Sequence, residues 1–385
     1  MSTPRHAWAF LLSAILTSTA PSPAGAQTVV AQPPAVSGSA ATQQRLQSIR
    51  AALFSGTGDP QSAIKELKDI LSADPQSAEG HLLLGIAYRS AGSPDLVGEA
   101  VAELRQALSL DPTFVPARLY LAHIYMELGR YERAREELEA ANAQVPRNAQ
   151  FLTLLGEVER QLKNPKRAAE LLTQALEIDN ASAQAHYYLG LTLLDLGQPA
   201  AAIAELEGVV KAGEKRADVY LSLGSAYLDA GRLDEGLDIL SQATHLDAGR
   251  PDIRILLARA YRLKKQLAQA DAQLALANPK GPATVSSPFV QQQQLEFDFY
   301  QELGLLRLQQ GRLEAAAVAF RKVLEMDPGV GAVNRDLADV YLRQGKYAQA
   351  GELAARAEKL GFPLPEDKRK LLQAAQLKKA TGGAK

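Results

Sequence analysis

Along this chain a small residue sitting directly after an apolar one returns at a nearly fixed interval. It falls at Gly85, Ala122, Gly156, Gly190, Gly224, Ala258, Gly304 and Ala338, with a weaker first member at Ala51. The steps are 34, 37, 34, 34, 34, 34, 46 and 34 residues. A second series of small residues runs through Ala63, Ala100, Ala134, Ala168, Ala202, Gly236, Ala270, Ala316 and Ala350, with steps of 37, 34, 34, 34, 34, 34, 46 and 34. In an alanine-rich chain one match means little. Two series in register mean a short supersecondary unit repeated along the chain, each copy burying its apolar face on the next.

Each interval holds two amphipathic patterns. The first reads like AEGHLLLGIAYRS (78–90), the second like EAVAELRQALSL (99–110). Both place apolar residues three and four apart, the period of a half-buried helix. A glycine separates the two patterns at Gly92, Gly129, Gly197, Gly231, Gly311 and Gly345. Between repeats stands a helix stop, often Asp-Pro, as at Asp74-Pro75, Asp111-Pro112 and Asp327-Pro328. Proline cannot continue a helix.

The pattern closely resembles the tetratricopeptide repeat. The third copy carries Leu121-Ala122, Tyr125, Ala134, Leu138, Ala141 and Pro146; the eighth carries Tyr300, Leu303-Gly304, Ala316, Phe320, Val323 and Pro328. The expected fold is all-α: a right-handed superhelical solenoid of about nine helix-turn-helix repeats with a C-terminal capping helix. The repeats are 44–77, 78–114, 115–148, 149–182, 183–216, 217–250, 251–296, 297–330 and 331–364. The first lacks a Leu-Gly pair, and the fourth to sixth replace the closing proline with Asn180, Glu214 and Ala248. Residues 365–378 form a charged amphipathic helix suited to cap the last repeat, and 379–385 are expected to be a disordered tail. Three extra residues fall in the turn at 93–98 and twelve around 278–291. The second insertion reads either as a hinge or as a surface loop over a continuous stack.

Residues 1–26 read as a secretory signal peptide. Arg5 opens an apolar run, Pro21-Ser22-Pro23 ends it, and Ala24-Gly25-Ala26 supplies a cleavage site. The run is too short to span a bilayer, which takes about 20 apolar residues. Residues 27–43, rich in Ala, Gln, Pro and Ser, read as a flexible linker. The expected location is periplasmic or secreted, with no transmembrane segment in the mature chain.

Composition narrows the function. Lys plus Arg number 42 and Asp plus Glu 43, so the chain lacks the basic excess of a nucleic-acid binder. With no cysteine there are no thiolate sites, disulfides or lipid anchors through sulfur. No H-E-x-x-H, phosphate-loop or nucleophile-elbow motif is present, and no catalytic residue, metal or cofactor is expected. His81 and His186 share one repeat position and read as packing residues; His245 reads as a helix-end residue. The segments flanking the repeats are too short to bury a catalytic core.

The family resemblance implies a concave groove lined by the first helix of each repeat, binding peptide segments of partner proteins. The implied groove residues are Leu82, Ile86, Leu119, His123 and Met126, then Tyr187, Leu191, Leu194, Leu221 and Leu228. Glu157 and Arg160 interrupt this apolar stretch, and Asp252, Arg259, Arg262, Gln301, Arg335 and Asp339 make the last third polar. The carboxylate clamp of some family members, Lys and Asn at paired groove positions, is absent. The implied function is a non-catalytic scaffold or adaptor of the cell envelope, within a polysaccharide-export or outer-membrane assembly, with self-association as an added expectation. A glycan-binding envelope protein is the alternative, though the one tryptophan, Trp8, lies in the signal; an accessory subunit of an envelope enzyme is the third.

Overall fold

The computed structural model describes residues 39–277 and 289–382, with side chains for 39–277 and 292–377. Among these there are nineteen α-helices and no strand. They divide into two compact bodies, one ending at Leu196 and the other beginning at Gly197. The N-terminal body pairs α1 (Ala40–Ser55) with α2 (Pro60–Ala73), α3 (Ala78–Ser90) with α4 (Val97–Leu110), α5 (Val115–Glu127) with α6 (Tyr131–Gln144), and α7 (Ala149–Gln161) with α8 (Pro165–Ile178); α9 (Ala183–Asp195) completes it. The C-terminal body opens with α10 (Pro199–Lys211). It continues through α11 (Ala217–Asp229) with α12 (Leu233–Leu246), and α13 (Pro251–Leu263) with α14 (Leu267–Leu276). Next come α15 (Phe289–Gln309) with α16 (Leu313–Met326), and α17 (Gly331–Arg343) with α18 (Tyr347–Lys359); α19 (Glu366–Gly382) ends it.

The small residues of the two series sit where paired helices meet. A Cβ added at Gly156 would lie 2.5 Å from Leu172, at Gly224 2.6 Å from Leu240, and at Gly304 2.5 Å from Phe320. These glycines let the second helix press its large residue against the first helix's backbone. Leu104, Leu138, Leu172, Leu240 and Phe320 are fully buried in these places. Within each body, every second helix then packs on the first helix of the following pair, so one layer continues into the next.

The turn inside each pair requires a left-handed residue. Glycine supplies it at Gly129, Gly197, Gly231, Gly311 and Gly345. In the fourth and seventh repeats the same turn is made by Lys163, at φ 64°, and Lys265, at φ 61°. The three-residue insertion after Gly92 forms a 3₁₀ turn, Pro94–Leu96.

Several boundaries differ from the sequence expectation. Of the linker expected over 27–43, residues 40–43 are helix, because Ser39 accepts a hydrogen bond from the Thr42 backbone N–H and starts α1 at Ala40; residues 27–38 lie outside the described residues. The expected tail 379–385 is helical as far as Gly382, since Lys and Ala at 378–380 favour helix. The insertion at 278–291 is partly helix: α15 begins at Phe289, well before the repeat start at 297. Without a Leu-Gly pair to admit close approach, α1 leans more on α3 than on its own partner α2. The signal-peptide reading and residues 278–288 lie outside the described residues.

Candidate interaction surface

In each body the first helices pack on one another: α1 on α3, α3 on α5 and α7 on α9, then α11 on α13, α13 on α15 and α15 on α17. The groove residues implied by the resemblance all lie on these helices, yet they fall into two sets. Leu82, Ile86, Leu119, His123 and Leu228 are buried, His123 at 7% exposure. Neighbouring first helices approach closely enough to cover them, so they serve as packing. Met126, Tyr187, Leu191, Leu194 and Leu221 are half-buried.

Three of the half-buried residues share one helix. Tyr187, Leu191 and Leu194 lie four and three residues apart on α9, and so on one face. The Tyr187 ring stands 5.6 Å from that of Tyr188, centroid to centroid. This is the densest grouping of accessible apolar area among the expected groove positions. In the C-terminal body, Leu221 on α11 is the one expected apolar groove residue that keeps exposure.

Most of the charged groove positions are engaged in pairs, some within one helix and some across to a neighbouring helix. Glu157 takes a bidentate pair from Arg160 (2.8 and 3.0 Å) and a further bond from Gln161 at 2.7 Å; Arg160 then reaches Asp195 on α9 at 3.2 Å. Arg259 on α13 bonds Asp229 on α11 at 2.8 Å. Arg262 and Glu302 form a buried bidentate pair joining α13 to α15. Asp339, 6% exposed, receives Arg343 at 2.9 Å and Lys368 of α19 at 2.7 Å. Arg335 pairs with Asp336 at 2.9 Å. The same bracing runs through the N-terminal body, where Arg50 meets Glu79 and Arg89 meets Glu127. Sequence reading placed several of these charges in the groove and missed that they tie successive first helices together.

Burial pushes the His123 imidazole down to about 4, so this ring is neutral at ordinary pH. His81 and His186 reach back to the backbone carbonyls of Pro75 and Asn180, each at 3.1 Å. Arg118 and Asn334, at the same repeat position, bond Pro112 and Pro328 in the same way. These side chains brace the start of the first helix. Among the described residues no helix is long and apolar enough to cross a membrane, and no group of acidic and histidine side chains could hold a metal ion.

Stacked helix pairs of this kind define a class: all-α repeat solenoids. Three profiles, all described as tetratricopeptide repeat, match the chain at 97–158, 227–286 and 307–361, at 50–113, 167–218 and 187–251, and at 149–182. Together they tile most of its length, and the chain belongs to the tetratricopeptide repeat family. Members of this family generally act as protein-interaction modules. None of the curated proteins compared with it matches in sequence. Solved structures share the fold. A tetratricopeptide repeat protein from Parabacteroides merdae has 16% identity and a TM-score of 0.53, over 67% of this chain and 98% of that one. Pseudomonas aeruginosa pilF has 22% identity and a TM-score of 0.50, over 57% and 97%. A chain of the APC/C hetero-tetramer Cut9-Hcn1 has 16% identity and a TM-score of 0.60, over 86% of this chain and 62% of that one.

Proposed function

We propose that this protein is a non-catalytic adaptor of the cell envelope that holds a peptide segment of a partner protein against its first-helix surface. The face of α9 carrying Tyr187, Leu191 and Leu194 is the observation behind this reading. Half-exposed apolar residues at four- and three-residue spacing suit the apolar side of a partner's helix or extended segment. The charges beside them are already engaged in intramolecular pairs, so apolar contact supplies the affinity and the rim supplies orientation. The export-like N-terminus supports an envelope location. Leu360, Phe362, Leu371 and Leu377 are all exposed at the C-terminal end of the repeats, in support of self-association as a second mode.

The test is affinity capture of the mature protein from its native envelope extract, beside a Tyr187→Glu, Leu191→Glu variant shown to be folded by circular dichroism. The expected result is a partner held by the normal protein and lost by the variant. Identical capture by both removes the α9 face from consideration.

A further inference from the structure

Three residues after each small residue of the first series, the chain usually places a tyrosine: Tyr88, Tyr125, Tyr227, Tyr261 and Tyr341. In the fourth repeat the residue there is Glu159. The sibling repeats show what the tyrosine does. Tyr125 accepts a hydrogen bond from Arg105 of the preceding second helix at 2.8 Å, and Tyr227 donates one to Glu207 of its preceding second helix at 2.6 Å. Arg133 stands 5.8 Å over the Tyr125 ring.

The fourth repeat keeps these surroundings without the ring. Glu139 of α6 occupies the register of Arg105 and Glu207, and Arg167 of α8 occupies that of Arg133. Between α6, α7 and α8 lies a cavity of about 210 Å³, lined by Glu139, Asn142, Leu155, Glu159, Arg167 and Leu171 among others. Leu155 and Leu171 are buried and give it an apolar wall. Its polar groups are mostly acceptors. The Asn142 Oδ1 is buried without a hydrogen-bond partner. Glu159, 7% exposed, takes a bond from Asn164 on Oε2 at 2.8 Å, while its Oε1 is ion-paired with Arg135 at 3.8 Å, too far for a hydrogen bond and so still open to a donor. Glu139 stands at the exposed rim, and the one cation in the lining, Arg167, is engaged by Glu170 at 2.9 Å.

We infer that this cavity is a binding site for a planar guanidinium cation on an apolar stem, the arginine side chain of a partner protein. Two carboxylates and an unpartnered amide oxygen ask for several donors at once. A guanidinium offers five in one plane, whereas a phenol offers one and an ammonium spreads three around a point. The flat cation fills a slot that in the sibling repeats takes a flat ring. This site lies on α6, α7 and α8, apart from the α9 face, and stands independently of it.

The probe is N-acetyl-arginine methylamide, titrated into the full mature chain carrying methyl-labelled leucine and followed by NMR. Saturable shifts at Leu155 and Leu171 are expected. Glu139→Gln, at the exposed rim, should leave the fold intact and weaken binding roughly tenfold, as loss of one charged hydrogen bond does. Glu159→Tyr should restore the sibling packing, close the cavity and abolish the shifts. Absence of saturable shifts in the normal chain overturns the site, as does equal binding by the tyrosine variant. Binding of p-cresol in place of the arginine derivative overturns the cation assignment.

Discussion

The two bodies share one skeleton and join successive first helices by apolar contact and ion pairs alike, but among the described residues only the C-terminal body buries such a pair. In the N-terminal body the inner residues of α3 and α5 are Leu82, Ile86, Leu119 and His123, all buried. The C-terminal body has its own buried apolar residues on its first helices, Leu228, Ile253 and Leu257, and adds the buried pair of Arg262 with Glu302, whereas the N-terminal pairs Arg50–Glu79 and Arg89–Glu127 are partly exposed. Apolar contact tolerates small shifts in register, since it has no direction. A buried ion pair does not, because loss of either partner leaves a charge stranded. The same repeat therefore yields one stretch whose inter-helix ion pairs lie near the surface and one with such a pair in its interior, while three of the five half-buried apolar groove positions are on α9.

The sharpest way to break this contrast is Arg262→Ala. It leaves Glu302 buried without its partner and should destabilise the C-terminal body by about 3–5 kcal/mol in urea unfolding. Replacing both residues with methionine should recover most of that loss. If the single change costs no more than a surface pair, under about 1 kcal/mol, the pairing account of this body fails.

A comparable lesion in the N-terminal body is steric. Gly156→Ala puts a methyl against Leu172 and should cost about 1–3 kcal/mol, partly relieved by Leu172→Ala. Additive losses in the double variant contradict the close-approach argument.

His123 gives the N-terminal body a pH dependence. Its folded pKa, about 4, lies below the ordinary imidazole value, so between these values the unfolded chain binds the proton and the folded one does not. The contribution is intact above about pH 6.5 and declines as pH falls toward 4, by on the order of 2–3 kcal/mol. His123→Phe should flatten the unfolding midpoint across that window. A slope unchanged by this substitution assigns the titration elsewhere.

The smallest effect concerns a feature common to both bodies. Lys163→Gly and Lys265→Gly relieve left-handed strain at the pair turns and should each stabilise by about 0.5–1 kcal/mol in thermal unfolding. Destabilisation by either change would mean that the lysine stem packs usefully over the turn.

These contrasts also mark how far the sequence could be read. The helix pairs, their glycine contacts and the large buried residues at those contacts, such as Leu104 and Phe320, follow from positions that recur at a fixed interval, so they were legible. The bracing pairs have no such interval. Arg89 and Glu127 are 38 residues apart, Arg160 and Asp195 35, Asp229 and Arg259 30, and Arg262 and Glu302 40. Their separations depend on insertions and on how consecutive helices settle against each other. That is why Arg160, Arg259, Arg262 and Asp339 read as ligand-facing charges when they in fact hold the stack. Leu82 and Leu119 misled for a related reason: one-helix periodicity identifies a face, and only the next helix decides whether that face stays open. Glu159 was visible in the register of tyrosines; its meaning needed the cavity around it.

The central claim is that partner contact occurs through accessible residues of the first helices. It is tested most directly by a photo-crosslinking amino acid placed at Leu191 and, separately, at Val318, an exposed position on the second helix α16. In the native cells, the account predicts a crosslinked partner protein from position 191 and none from 318. A crosslink from 318 alone, or equal yields from both, would contradict it.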